Sequence, residues 1–128
     1  MRNHRDLKVW CKAYSLSLDL YRRSRDFPKE ERYGLTSQLR RAAISIGANL
    51  AEGCGRRTNA EMARFIRIAM GSASELDHHL LLCKDLGFLQ YQEYESVIRD
   101  LNEVRKMLGG LLESVERELQ HSRAAAKG

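Results

Sequence analysis

The sequence predicts an all-α protein: an antiparallel, up-down-up-down four-helix bundle whose copies associate. Three observations lead there. Apolar residues recur at steps of three and four through four segments, roughly residues 7–25, 31–53, 60–86 and 92–119. Apart from the run Tyr14–Leu20, the chain shows no sustained alternation of apolar and polar residues at the two-residue period of a strand. The second segment is apolar around most of its circumference, more than one bundle interior uses. Short turns between the segments return each helix along the previous one. Residues 120–128 have no core-facing pattern and are expected to be a loose tail on a single domain spanning 1–128.

In the first segment Asp6 is the expected N-cap. Val9, Ala13, Leu16 and Leu20 form its aliphatic stripe. Beside it run Trp10, Tyr14, Ser17 and Tyr21, an aromatic stripe read as core or interface packing, since a base-stacking platform needs exposed rings. Lys8, Lys12, Asp19 and Arg23 make the opposite, solvated face. Pro28 disfavours helix at Phe27, so the chain turns there with Phe27 as an apolar plug, and Lys29, Glu30 and Glu31 open the second helix.

The second segment organises the rest. Leu35, Leu39, Ala42, Ala43, Ile46 and Leu50 share one face, and Ile44, Ala48 and Ala51 share another. Between them runs a polar stripe of Gln38, Arg41, Ser45, Asn49 and Glu52. Two apolar faces need two partners: the bundle interior and a neighbouring subunit. The helix should end near Gly53-Cys54-Gly55, glycines suited to the left-handed residues of a C-cap. Arg56 and Arg57 follow. Backbone N–H groups and two guanidinium forks in such a loop suit phosphate. The GxxxxGK[ST] pattern of a nucleotide-binding loop is absent, and an ordinary C-cap with solvated arginines is the competing reading.

Thr58 or Asn59 caps the third segment. Met62, Phe65, Ala69, Ala73, Leu76, Leu80 and Cys83 face inward, while Arg64, Arg67, Gly71, Ser74, Glu75 and His78 face out. The small side chains of Gly71-Ser72-Ala73-Ser74 allow another helix close approach. Glu75 is placed to pair with Arg41 or to hydrogen-bond Asn49. Gln38, Arg41, Asn49, Glu52 and Glu75 are therefore expected to form one structural polar network. Gly87 ends this helix and Phe88-Leu89 seals the next connection. The fourth segment carries a heptad-like seam from Tyr94 to Val115, interrupted at Gly109-Gly110, where a bend, a close contact or fraying is expected.

Charge is uneven. The 128 residues carry 22 Lys/Arg and 17 Asp/Glu, net +5, but residues 1–57 hold +7 and residues 58–128 hold −2. Such asymmetry fits an acidic partner such as RNA or DNA, a protein partner, or basic-to-acidic packing between subunits. No apolar run reaches the roughly 20 residues of a membrane span, and the N-terminus has no apolar signal core, so a cytoplasmic protein without membrane contact is expected. Cys11, Cys54 and Cys83 read as buried free thiols, an odd number without CxxC spacing.

The run QLRRAAISIGANLAEGCGR, followed by a Phe-containing helix and GSASEL, resembles the bacterial family of four-helix-bundle proteins encoded within intervening sequences of 23S ribosomal RNA genes. The likeness extends to KVWCKAYSLSLDLY and KDLGFL, covering roughly residues 6–115. It implies a homopentamer, since similar proteins form pentameric rings. It also implies nucleic-acid and protein partners, because similar basic pentamers accompany the reverse transcriptases of diversity-generating retroelements.

Catalysis needs convergent titratable groups. His4 and His121 lie near the ends, and the adjacent His78 and His79 stand about 100° apart on a helix, unlike paired ligands. No HExxH motif or nucleophile elbow occurs. Cys54, beside two arginines, is the one setting that could lower a thiol's pKa. The expectation is a non-enzymatic protein without metal or cofactor. Arg40, Arg41, Arg56, Arg57, Arg64 and Arg67 are the candidate nucleic-acid contacts, expected near one end of the bundle. The alternative is an adaptor whose arginines hold subunits or a protein partner.

Overall fold

The apolar stripes fold as their spacing dictates. In this computed structural model, which describes residues 2–127, four α-helices form: α1 (Lys8–Arg23), α2 (Leu35–Cys54), α3 (Asn59–Asp85) and α4 (Tyr91–Lys127). No strand occurs among the described residues. Contacts at different depths fix the directions. Ser17 donates to the Ala43 carbonyl and Arg40 to Ser24, Ser45 meets Ser72, Arg105 pairs with Asp77 and Arg67 with Glu116, and Lys12 and Arg23 pair with Glu103 and Glu93. In each adjoining pair one residue number rises as the other falls, so every neighbouring pair is antiparallel. With α1 against both α2 and α4, the bundle closes.

The core is the one the periodicity marks. Val9, Ala13, Leu16 and Leu20 meet Leu39, Ile46 and Leu50 of α2, Ile66, Leu76 and Leu80 of α3, and Val97, Leu101, Val104 and Leu108 of α4. Burying each of these larger side chains stabilises by about 1.5–3 kcal/mol before entropy is counted. Phe27 plugs the α1–α2 corner as expected, its ring 5.7 Å from that of Phe88. Gly87, at φ 82°, closes α3 with a Schellman pair: Phe88 N–H to Cys83 C=O at 2.8 Å and Gly87 N–H to Lys84 C=O at 3.0 Å.

Several expectations change. Asp6 sits inside a 3₁₀ turn (His4–Asp6) capped by Asn3, and Leu7 takes the N-cap position of α1 without a side-chain bond. Lys29–Glu31 form a separate 3₁₀ turn, because Gly34 (φ −109°, ψ −115°) breaks the helical path before Leu35. Gly55 ends α2 at φ −81°, not left-handed, its N–H shared by the Ala51 and Glu52 carbonyls. Residues 120–127 continue α4 as exposed helix in place of a loose tail, carried by the high helix propensity of Arg123 to Lys127, rich in alanine. Gly109-Gly110 produces no break, and a β-carbon at either would meet nothing within 4 Å. The solvated face expected on α1 carries ion pairs to α4, Lys12 with Glu103 at 3.0 Å and Arg23 with Glu93 at 3.4 Å, and within α1 Arg23 also pairs with Asp19 at 3.0 Å.

Candidate nucleic-acid interface

The six candidate arginines do not share one end. α2 rises about 1.5 Å per residue, so Arg40 and Arg41 lie roughly 20 Å along the bundle from Arg56 and Arg57. Antiparallel packing brings Arg56 and Arg57 to the start of α3, beside Arg64 and Arg67, and leaves Arg40 and Arg41 behind.

Arg40 is committed inside the fold. Its Nε donates to Ser24 Oγ at 2.8 Å, its Nη2 to the Tyr21 carbonyl at 3.3 Å, and its guanidinium lies 4.5 Å from the Tyr21 ring centre. Arg67 pairs with Glu116 at 3.4 Å and Arg56 with Glu52 at 2.7 Å. Arg41, Arg57 and Arg64 are exposed and have no carboxylate within ion-pair distance among the described residues.

The α2–α3 end has a definite shape. Phe65, half-buried, lies between two guanidiniums, Arg56 at 5.0 Å and Arg64 at 5.5 Å from its ring centre. Thr58 caps α3 by accepting from the Glu61 N–H at 3.1 Å. A cleft of about 270 Å³ is lined by Arg2, Arg56, Arg57, Thr58 and Glu118 among others. Arg2 and Glu118 are the residues that sequence reading missed. Arg2 N–H bonds the Cys54 carbonyl at 2.9 Å, and its guanidinium pairs with Glu118 at 3.0 Å. Glu118 also accepts from Asn59 at 3.2 Å. No local pattern links residues 116 apart.

The expected polar network divides. Glu52 goes to Arg56, and Glu75 bonds His79 at 3.2 Å. Asn49 turns back on its own helix, donating to Ser45 C=O at 2.8 Å and Ser45 Oγ at 2.9 Å. Ser45 and Ser72 are hydrogen-bonded at 2.8 Å, so the small residues of α3 do admit α2. Gln38, Arg41 and Glu75 line one open groove of about 460 Å³, without an Arg41–Glu75 ion pair. Each carboxylate instead meets a partner four residues on in the chain, Glu52 the arginine just past the end of α2 and Glu75 a histidine of its own helix.

Neither the aromatic stripe nor the second face of α2 is core. Tyr14 is 51% exposed and Ile44 44%. With Trp10, Gly47, Ala48 and Ala51 they line an apolar groove of about 290 Å³ between α1 and α2. Trp10 and Tyr14 stack at 5.0 Å.

Cys54 and Cys83 are poor nucleophiles. Burial raises the Cys54 thiol pKa and outweighs the opposing pull of Arg2, reversing the expected activation. Burial, with a smaller contribution from Glu31, pushes Cys83 up to about 11. Cys11 is exposed, not buried. No group of three or more His, Cys, Asp or Glu among the described residues is arranged to hold a metal, and no helix is long and apolar enough to cross a membrane.

A search of curated proteins gives no match. Among solved structures, the chain is similar to a protein of unknown function from the S23 ribosomal protein family of Bacteroides thetaiotaomicron, solved at 1.70 Å. The two are 23% identical with a TM-score of 0.76 over 82% of this chain and 95% of that one, a likeness of fold. The model of one family, 23S rRNA-intervening sequence protein, matches residues 5–110. With four helices in the expected order and most of its length matched, the chain belongs to the 23S rRNA-intervening sequence protein family.

Proposed function

We propose that this chain is a non-enzymatic, homopentameric bundle protein that binds nucleic-acid phosphate through the arginines at its α2–α3 end. One observation carries the reading: Arg64, held over the Phe65 ring with Arg56, and the neighbouring Arg57 are exposed and form no ion pair among the described residues. Guanidiniums held against a ring present their donors outward in fixed directions, which suits phosphate oxygens. Each phosphate contact adds counterion release, so a ring of copies multiplies the effect. The surface formed by exposed Tyr14, Ile44 and Ala48 with half-buried Trp10 supports association, because a patch of this kind is removed from water when copies meet.

The principal contacts are accordingly Arg57 and Arg64, with Arg56 and Arg67 held partly back by Glu52 and Glu116 and Arg40 serving the fold. Binding of structured RNA and duplex DNA, titrated against salt, tests this. Arg56→Glu with Arg57→Glu should abolish tight binding and flatten the salt slope while the oligomer survives. Unchanged affinity in that variant defeats the reading.

A second reading keeps its own observation. Arg41 faces Glu75 across an open groove without pairing, an arrangement fit for a neighbour's carboxylate or a protein partner. If Arg41→Ala dissolves the oligomer, that arginine serves assembly.

A further inference from the structure

We propose that the opposite end of the bundle carries a nucleotide-binding pocket, taking a 5′-phosphate and its attached flat base at the α1–α2 turn. The proposal does not rest on the α2–α3 reading; its residues are separate from that site. A cavity of about 510 Å³ opens there, within the usual size of small-molecule sites. Arg25, Lys29, Arg32 and Arg40 line it, and no carboxylate does. Arg25, Lys29 and Arg32 form no ion pair among the described residues, although Asp26, Glu30 and Glu31 lie in the same turns. Glu31 instead rests against Gly34, outside the lining. Arg40 is already oriented by Ser24, itself 3% exposed. Charge left uncompensated on three side chains around one cavity is what an anion site requires.

Two further observations narrow the ligand. The first turn of α2 opens here with no side-chain cap from Gly34, so its free N–H groups add positive potential, offset in part by the Glu31 carboxylate beside Gly34. In that turn Thr36 is 6% exposed, lines the cavity, and its hydroxyl has no hydrogen-bond partner among the described residues. A buried hydroxyl without a partner is rare and calls for an explanation, which an acceptor brought by a ligand provides. The rest of the wall is flat and apolar: Phe27, Pro28 and Tyr33. Tyr33 is 88% exposed, with the Arg32 guanidinium 5.6 Å from its ring centre. Inorganic phosphate would use the cations and leave these surfaces idle. A nucleotide uses both, its base stacking on Tyr33 and its phosphate among the cations.

Calorimetric titration of the full chain tests this with AMP, adenosine, inorganic phosphate, phosphotyrosine, and a short single strand with or without a 5′-phosphate. AMP should bind at least about tenfold more tightly than adenosine or inorganic phosphate. Lys29→Gln with Arg32→Gln, both exposed and remote from the core, should weaken AMP about tenfold or more, one charge-assisted contact being worth that factor. Thr36→Val should weaken it severalfold at unchanged helicity. Arg56→Glu with Arg57→Glu should leave AMP affinity alone, which separates this site from the other. Preference for the phosphorylated strand over AMP identifies a strand end as the source, and parity identifies the free nucleotide; both support the pocket. No binding at millimolar AMP, adenosine or phosphotyrosine binding as tightly as AMP, or indifference to the Lys29/Arg32 change overturns it.

Discussion

A β-carbon on Gly53 would stand 2.9 Å from the Cβ of Phe65 and 3.1 Å from the sulfur of Met62. Gly53 is therefore the point where α2 and α3 touch nearly backbone to backbone, just below the arginine-flanked Phe65. Gly53→Ala must push the helices apart at their shared end. We expect a loss of about 1–3 kcal/mol in urea unfolding, the usual range for overpacking. Nucleic-acid affinity should fall with it, because Phe65 carries Arg56 and Arg64. Affinity retained at full strength would show that the stack plays no part in binding.

Gly109, Gly110 and Gly71 behave oppositely. All three are helical, and a β-carbon at each meets nothing within 4 Å. Gly109→Ala and Gly110→Ala should each stabilise by about 0.5–1 kcal/mol, raising the melting temperature by a few degrees. Gly71→Ala should do the same in a single chain. If it instead lowers the stability of the assembled protein, a neighbouring subunit lies against that face of α3.

Cys83 gives a pH signature. Burial pushes its folded pKa up to about 11, above the ordinary thiol value, so the folded state holds the proton more firmly. The associated stability is complete below pH 9 and is lost as pH rises towards 11. The urea midpoint should fall across that window by more in the native protein than in Cys83→Ala, the comparison cancelling tyrosine and lysine ionisation. In native protein at pH 8, a thiol reagent should modify Cys11 rapidly and spare Cys54 and Cys83.

Ile44 tests assembly. At 44% exposure it contributes little to the bundle's own core. Ile44→Asp should leave the helical circular dichroism in place and reduce the solution mass to that of one chain, 14.7 kDa. An oligomer that survives this change uses another face.

Arg40 and Arg57 should separate structure from binding. Arg40→Ala removes the bonds to Ser24 and Tyr21 and should cost about 1–2 kcal/mol of stability. Duplex affinity should hardly change. Arg57→Ala should do the reverse, lowering affinity several-fold at an unchanged melting temperature.

Four helices, their inward faces and the Gly87 stop were legible in the chain. Each is a local matter: a residue three or four positions away lies on the same face whatever the rest of the protein does. Leu39, Ile46 and Leu50 declare the interior of α2 without reference to any partner. What lies between the helices was not legible. Arg67 finds Glu116 from a different helix, Glu118 meets Arg2 from the far end of the chain, and Lys12 meets Glu103 where open solvent was expected. An ion pair depends on axial register to within a few ångströms, and register follows from how all the side chains interlock. A helical bundle with a surplus of apolar surface on α2 follows from local spacing alone. Which arginines are engaged by carboxylates or carbonyls and which stay unpaired among the described residues depends on that packed register.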